Sequence, residues 1–245
     1  MSISSDLVRY FTSFQDNKDI VNYLSTCRYL HRQRIFCSLT ETVNYHRLAF
    51  VRLAGFHAEI VYALDTFCRV DPHLLQGVKY LSFSHPYKEI EQAQLPESIQ
   101  SVFVRFVESS QDSYSLDFLP PSLTALHLRG GFNQSILPGS LPLTLNMLEL
   151  GAWFEKEIEP GSLPNSIISL LFVGSSFQGQ LSAKNLPMQL CHLKLNTLYN
   201  SDQVILDEMQ YLTHFEFNFN VWETDKCKLS DLHLPKSLYL PVYVS

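Results

Sequence analysis

The sequence predicts an α/β protein built as a right-handed solenoid, in which short parallel β-strands repeat every 22 to 24 residues after a small N-terminal α-helical unit. Three observations predict it. Leu-Pro recurs at a regular spacing, a fixed set of apolar positions follows each copy, and the first 36 residues instead carry apolar side chains at helical spacing. The composition agrees, because a chain with 46% hydrophobic residues can bury a sizeable core, which a disordered chain cannot.

The N-terminal segment, residues 1–40, is predicted to fold into two or three short helices. A break after Phe14 places Asp16 or Asn17 where either can cap the second helix. Residues 41–73 fit a helix or a strand equally well, so they are predicted to form a helical linker or a degenerate first coil. The apolar residues at helical spacing include Leu7, Val8, Phe11, Phe14, Ile20 and Leu24.

The predicted solenoid spans residues 74–245, and each Leu-Pro begins one of its coils. The last step between copies is about twice the others, which indicates a coil that has lost its Leu-Pro. This coil is recognisable from Leu212, Phe215 and Phe217, which keep the apolar pattern. The leucines of the Leu-Pro copies are Leu95, Leu119, Leu141, Leu163, Leu186 and Leu234.

Apolar residues stand four, seven and nine positions after these leucines, as Leu145, Leu148 and Leu150 do after Leu141; only the final unit is ragged, with Pro241 seven positions after Leu234. Two apolar residues separated by one position place both side chains on the same face of an extended strand. A period of 22 to 24 residues leaves room for a return path but not for a long crossover helix. The sequence therefore predicts parallel strands stacked about 4.8 Å apart, with each coil burying its leucines against the next.

The segments between the strands also repeat. Pro-Gly pairs at 138–139 and 160–161 predict tight turns. Phe132, Phe154 and Phe177 recur at the same place in successive coils and are predicted to stack on the side opposite the strands. A hydroxyl residue often stands three positions after the leucine and is predicted to cap a single helical turn. These hydroxyl residues are Ser98, Ser122, Thr144, Ser166 and Ser237.

These units resemble FNIP repeats, a leucine-rich-repeat-like family whose unit reads F-N-x-P-I, then P-G, then L-P-x-S-L-x-x-L-x-L. The resemblance covers about residues 74–245; it is highly specific in the three units from Leu119 to Leu195 and weak at both ends. The chain departs from the family at the proline of F-N-x-P-I, where Ser135, Glu157 and Gln180 stand instead. The resemblance implies a curved interaction surface and no chemistry.

The N-terminal segment resembles an F-box in the strings FTSF at 11–14, DI at 19–20 and LSTCRYL at 24–30. Family members commonly read I-F-S-x-L, D-L and then L-x-x-V-C-K, and their leading Leu-Pro is absent here. The resemblance implies docking on a Skp-type adaptor of cullin–RING ubiquitin ligases. The alternative is a helical cap that shields the first coil. The implied adaptor-binding residues are Leu7, Val8, Phe11, Phe14, Ile20 and Leu24.

The repeat also predicts which side chains point outward from the sheet, six, eight and ten positions after each leucine. Equivalent positions on neighbouring coils then lie side by side. Exposed apolar residues on such a face anchor partners, and Arg105 beside Arg129 makes a clamp for a carboxylate or a phosphate. The predicted partner-binding residues are Phe103, Arg105, His127, Arg129, Met147, Glu149, Leu171 and Lys194.

Cross-strand pairs are expected between His127 and Glu149, and between Lys194 and Glu216. Glu149 and Glu216 are three coils apart, roughly 14 Å by strand spacing, which is too far for the paired carboxylates of a glycosidase. His192 and His214 become neighbours, and two neutral polar side chains are a commoner reading of them than a metal site.

The sequence carries no motif for catalysis, so no catalytic residue, metal or cofactor is predicted. It has no phosphate-binding or dinucleotide loop, no nucleophile elbow and no H-E-x-x-H. The five cysteines are scattered without C-x-x-C spacing and are predicted to be free thiols.

Charge and hydropathy limit the partners. With 18 basic and 24 acidic residues the net charge is −6, which disfavours nucleic-acid binding. No apolar run approaches the roughly 18 residues of a membrane span, and the N-terminus lacks the basic and apolar parts of a secretory signal. We therefore expect a cytoplasmic protein, monomeric apart from an adaptor complex. If the chain comes from a virus or an intracellular bacterium, the family resemblance implies that it acts in the cytoplasm of the host cell.

The sequence thus predicts a non-enzymatic protein-interaction module. Together with the two resemblances, it predicts an F-box substrate receptor whose repeat face brings an unknown protein target to a cullin–RING ubiquitin ligase. One alternative is a stand-alone repeat scaffold with a helical cap and no link to ubiquitin. The other is a carbohydrate-active solenoid.

Overall fold

A computed structural model describes residues 38–39, 43–44, 57–58, 60–63, 75–85, 95–106, 116–173, 177, 179–195, 204–217 and 233–238. These ranges contain 13 β-strands, and no residue within them lies in an α-helix. The helical unit predicted for the N-terminal segment, with its six adaptor-binding residues, falls outside the described ranges. None of the described residues belongs to a helix long and apolar enough to cross a membrane.

The strands are short, and most of them belong to one sheet. In chain order they are β1 (Ser38–Leu39), β2 (Val43–Asn44), β3 (His57–Ala58), β4 (Ile60–Ala63), β5 (Tyr80–His85), β6 (Ser101–Phe106), β7 (Ala125–Gly130), β8 (Met147–Leu150), β9 (Ser169–Phe172), β10 (Leu181–Ser182), β11 (His192–Leu195), β12 (Val204–Ile205) and β13 (His214–Phe217).

The main sheet has nine strands in the order β13-β11-β9-β8-β7-β6-β5-β4-β2, and all of its pairings are parallel. Two smaller parallel pairs, β1 with β3 and β10 with β12, lie outside it. Neighbours in the main sheet follow the order of the chain, so each winding adds one strand to this sheet. The predicted parallel β-solenoid is therefore confirmed for the described coils.

Alternation along each strand directs every second side chain into the core. A first inward column is formed by the residue seven positions after each leucine, and all of its members are at most 4% exposed. A second column two residues later is also buried, and each fully buried side chain of this kind contributes about 1.5–3 kcal/mol. The first column contains Leu81, Val102, Leu126, Leu148, Leu170, Leu193 and Phe215, and the second contains Phe83, Val104, Leu128, Leu150, Phe172 and Leu195.

The Leu-Pro segments make a tight turn before the strand. The amide of Leu145 donates a hydrogen bond to the Pro142 carbonyl at 3.1 Å, and five other coils repeat this bond at the same position. The proline carbonyl thus closes the turn, while the leucine before it is buried, as Leu141 is at 3% exposure. The turn sets the phase at which each strand enters the sheet.

The hydroxyl residues were expected to cap a helical turn within their own coil, and this expectation is wrong. The hydroxyl of Ser166 donates to the carbonyl of Leu145 in the preceding coil at 2.7 Å, and Thr144 donates likewise to Leu123 at 2.8 Å. Ser122 and Ser237 make the same kind of bond. Because a neighbouring coil lies alongside each turn, its carbonyl is the nearer acceptor, so these hydroxyls join coils to one another.

The side opposite the strands is built from turns and aromatic rings. Gly139 and Gly161 have φ of 81° and 80°, and Ser140 and Ser162 close these Pro-Gly turns by donating backbone N–H groups to the residue three positions earlier. The predicted phenylalanine stack is confirmed. The Phe154 ring lies 6.0 Å from Phe132 and 5.8 Å from Phe177, centroid to centroid, in stacked geometry.

One glycine is required where a strand leaves the sheet. Gly130, at the end of β7, has a φ of 66°, and a Cβ there would overlap the Phe106 carbonyl of the preceding coil. Gly131 donates a hydrogen bond to that same carbonyl at 3.0 Å. The backbones of the two coils therefore approach too closely for any other residue.

Candidate interaction surface

The outward side chains of β6, β7, β8, β9, β11 and β13 form one continuous surface, which we call the strand face. Its middle row follows the predicted register without a slip, because each outward residue is paired directly with its equivalent on the next coil. A one-residue slip would turn the buried leucines to solvent, so the core enforces this register. The middle row contains Phe103, His127, Glu149, Leu171, Lys194 and Glu216.

At one end of the strand face, Glu149 lies between two basic neighbours on β7. His127 Nδ1 lies 2.7 Å from one Glu149 oxygen, and Arg129 Nε donates to the other. The cross-strand pair expected between His127 and Glu149 is therefore present, and Arg129 adds a second partner from the adjacent row.

The Glu149 side chain is only 5% exposed, whereas the sequence placed it among solvated outward positions. The expected exposure is wrong, because His127 and Arg129 both reach across from β7 and cover the carboxylate. Burial acts to raise the pKa of Glu149, but the hydrogen bonds and charges of His127 and Arg129 outweigh it and lower the pKa to about 2. The carboxylate is thus held ionised at neutral pH.

Phe103 on β6 extends this cluster. Its ring centroid lies 6.0 Å from that of His127, and the guanidinium carbon of Arg129 sits 5.3 Å from the Phe103 centroid. This is the distance of a cation–π contact. Glu149 and Phe103 together therefore hold the Arg129 side chain in one place. Phe103, His127, Arg129 and Glu149 are hereafter the Glu149 cluster.

A second ion-paired group lies at the other end of the strand face. Lys194 Nζ donates to one oxygen of Glu216 at 2.6 Å, and His192 Nε2 lies 3.1 Å from the other. The hydrogen bond from Lys194 lowers the pKa of Glu216 and outweighs the opposite effect of partial burial. The expected pair between Lys194 and Glu216 is present, and these three residues are hereafter the Glu216 cluster.

The predicted pair of histidines is also adjacent, with the His192 and His214 ring centroids 6.2 Å apart in an edge-to-face arrangement. Each has another partner: Ser169 Oγ lies 3.3 Å from His192 Nδ1, and Thr213 Oγ1 lies 2.9 Å from His214 Nδ1. Within the described ranges, no group of three or more His, Cys, Asp or Glu side chains is arranged to hold a metal ion.

An apolar region separates the two clusters. Leu171 on β9 pairs with Glu149 on one side and Lys194 on the other, and Met147 on β8 lies in the adjoining row. Both side chains are half-buried, as Phe103 is, so the sequence overstated their exposure. Strand neighbours 4.7–4.9 Å away cover their flanks and leave their ends accessible.

The remaining predicted residues form the third row. Arg105 pairs with Arg129 in the register, as expected, and both are exposed. The predicted clamp assumed two unengaged arginines. Only Arg105 fits that assumption, because Arg129 already donates its Nε to Glu149. The Arg105 side chain has no hydrogen bond or ion pair with any residue that the structure describes. All eight predicted partner-binding residues thus lie on the strand face, whereas the six predicted adaptor-binding residues lie outside the described ranges.

Sequence reasoning missed two contacts within this surface, that of Ser169 with His192 and that of His192 with Glu216. Ser169 connects the apolar region to the Glu216 cluster through His192. The sequence does contain the information for the first contact, because Ser169 and His192 both stand six positions after their leucines and so lie in the same outward row. Ser169 and His192 are direct cross-strand neighbours, whereas His192 reaches Glu216 diagonally, from one outward row to the next.

The fold defines a class: this chain is a repeat protein, a leucine-rich parallel β-solenoid. Residues 115–152 and 154–197 match the family model described as FNIP Repeat, which covers the central coils of the sheet. No curated protein matches the chain.

Among solved structures, the chain is similar to one described as "The crystal structure of CroV588 a novel circular LRR protein structure". The two are 22% identical with a TM-score of 0.47, over 75% of this chain and 33% of that one. This chain therefore corresponds to about a third of the length of that protein.

Proposed function

We propose that this protein is a non-enzymatic interaction scaffold that binds a protein partner through the strand face. The observation that carries this proposal is the order of side chains along the face: half-buried Leu171 lies between two ion-paired clusters, and half-buried Met147 lies in the adjoining row. An apolar centre with a polar rim is the usual anatomy of a protein–protein interface.

Rigidity supports the same proposal. Leu171 belongs to a strand paired on both sides, and its neighbours in the row are Glu149 and Lys194, whose side chains are fixed by ion pairs. A surface whose side chains are already ordered loses little conformational entropy on binding. The scaffold therefore presents its contacts in a preset arrangement.

The test compares two Leu→Gln variants in affinity capture from a eukaryotic lysate. Leu171→Gln changes the apolar centre of the strand face, whereas Leu143→Gln changes a leucine that is 81% exposed on a turn and serves as the control. Proteins that Leu143→Gln retains and Leu171→Gln loses would support the proposal. Identical capture by both variants would contradict it.

The more specific proposal is that the chain is an F-box substrate receptor in the cytoplasm, monomeric apart from its adaptor. It rests on the resemblance of the N-terminal segment to an F-box and gives the strand face the task of selecting a ubiquitylation target. The transfer chemistry would belong to other subunits of a cullin–RING ligase.

Co-purification with a Skp-type adaptor tests this specific proposal. The intact chain is expected to retain the adaptor, and Phe11→Asp and Ile20→Asp are expected to release it, because each places a charge among apolar docking residues. Binding to the strand face should survive both substitutions. An intact chain that binds no adaptor would leave a scaffold without a link to ubiquitin.

A further inference from the structure

The strand face differs in charge from the rest of the protein. The chain carries a net charge of −6, yet Glu149 and Glu216 are the only acidic residues in the described strands. Both carboxylates already have two basic partners each. Other acidic side chains, such as Glu155, Glu157 and Glu159, are exposed and lie in the segment between strands β8 and β9.

The two arginines of the face, unlike its two carboxylates, still have hydrogen-bonding groups without a partner among the described residues. The Arg105 side chain is exposed and bonds to no residue that the structure describes, so its five N–H donors are available to a partner. Arg129 gives only its Nε to Glu149, which leaves both Nη groups available. Arg105 and Arg129 are directly paired in the register. Their side chains therefore leave the sheet from neighbouring strands, and the strands are about 4.8 Å apart.

We propose that Arg105 and Arg129 together bind a carboxylate from an acidic segment of the protein partner. The inference rests on the proposed function and adds the chemistry of the partner. The partner's acidic residue is accompanied by an apolar one, because Phe103 lies directly beside the pair, beneath the Arg129 guanidinium. The partner segment therefore carries Asp or Glu within a few positions of an aromatic or aliphatic residue.

The local charge favours a carboxylate over a phosphate. With His127 counted as neutral, as in the net charge of −6, the two arginines and the Glu149 carboxylate leave one net positive charge at this end of the face. One carboxylate neutralises it, whereas a phosphate, with a charge of about −1.5 to −2, would leave an excess of negative charge beside Glu149. Fixing Arg129 between Glu149 and Phe103 also removes much of the entropy that a flexible arginine would lose on binding.

The experiment selects binders from a display library of random peptides, with the full chain as bait. Peptides that bind the strand face are recognised because Leu171→Gln weakens them and Leu143→Gln does not. Among these we expect enrichment of Asp or Glu close to an apolar residue. A synthetic copy of the best peptide is then measured with the intact chain, with Arg105→Gln and with Lys156→Gln, a matched loss of one exposed positive charge in the segment between β8 and β9.

Arg105→Gln should weaken binding about tenfold, which corresponds to 1.4 kcal/mol, whereas Lys156→Gln should leave it unchanged. Raising the salt to about 0.5 M should weaken the intact complex and remove most of the difference caused by Arg105→Gln. Replacing the acidic residue of the peptide by its amide should abolish the effect of Arg105→Gln.

Three results would overturn the proposal. If the selected peptides depend on Leu171 but bind Arg105→Gln as tightly as the intact chain, the proposal of an acidic partner is contradicted, whereas the proposed function is not. A peptide with phosphoserine in place of its acidic residue that binds much more tightly would assign the site to phosphate. A library without any binder sensitive to Leu171→Gln would overturn both the acidic partner and the proposed function.

Discussion

Replacing Glu149 by Gln should weaken the fold in a way that depends on pH. The amide can keep the shape of the carboxylate and can still accept from Arg129, but it carries no charge. In the intact protein the pKa of Glu149 falls from an ordinary value of 4.5 to about 2. At 1.36 kcal/mol per pKa unit, this difference corresponds to roughly 3 kcal/mol of folding stability at neutral pH.

The sign follows from the direction of the shift. The folded protein holds the Glu149 carboxylate ionised. The contribution of this carboxylate to folding stability is therefore complete above pH 4.5 and declines as the pH falls toward 2. The side chain is 5% exposed, so solvent screens little of this contribution. The Gln variant has no charge to lose and should lack this part of the pH dependence.

Urea unfolding of both proteins at several pH values between 7 and 2 measures the difference. The gap in unfolding free energy should be largest at pH 7 and should close below pH 4.5. Glu157→Gln changes an exposed glutamate outside the strands; it is the control and should change stability little at any pH. If the intact protein and Glu149→Gln lost stability in parallel across the acid range, the ion-paired account of Glu149 would be refuted.

Three further substitutions test the packing of the coils by thermal or urea unfolding. Gly130→Ala should destabilise by more than Gly139→Ala, which shares the positive φ but has open space around it, and equal effects would contradict the close approach of the coils. Phe154→Ala should cost about 3–5 kcal/mol, because it removes the centre of the ring stack, and a cost below 1 kcal/mol would argue against that stack. Ser166→Ala should cost about 1 kcal/mol through its bond to the preceding coil, and an unchanged midpoint would show that this bond contributes nothing.

The register of the strand face could be predicted because it depends on one requirement that every coil repeats, the burial of the apolar residues of its leucine pattern. Each leucine pattern fixes which residues point inward, and burial of both inward columns then fixes the phase of every coil relative to the next. The pairing of Phe103 with His127, and of Lys194 with Glu216, follows from that phase alone. No knowledge of individual side-chain conformations was needed.

The burial of Glu149 could not be predicted in the same way. Periodicity assigns a side chain to a face of the sheet, but not the direction in which it leans across that face. Glu149 is covered because Arg129, two residues beyond the middle row, folds back over Phe103 and reaches it. Such diagonal contacts depend on rotamers, which the repeat does not specify.

The error over the hydroxyl residues has a related cause. A Ser or Thr at the start of a regular element usually bonds to its own backbone nearby, so Ser166 and Thr144 were assigned a local role. In a solenoid, however, residues about 22 positions apart are spatial neighbours, and Ser166 bonds across that interval to Leu145. Local rules for capping therefore have to be applied to adjacent coils as well as to adjacent residues.

The one-strand-per-winding arrangement has a consequence for how such a protein can change its length. Removing the single unit that carries Leu171 would bring Glu149 beside Lys194 without altering the backbone of either strand, and would shorten the distance between the two charged ends by about 4.8 Å. Duplicating that unit would lengthen the distance by the same step. The separation of the contact points is thus adjustable in fixed increments, while their chemistry stays the same.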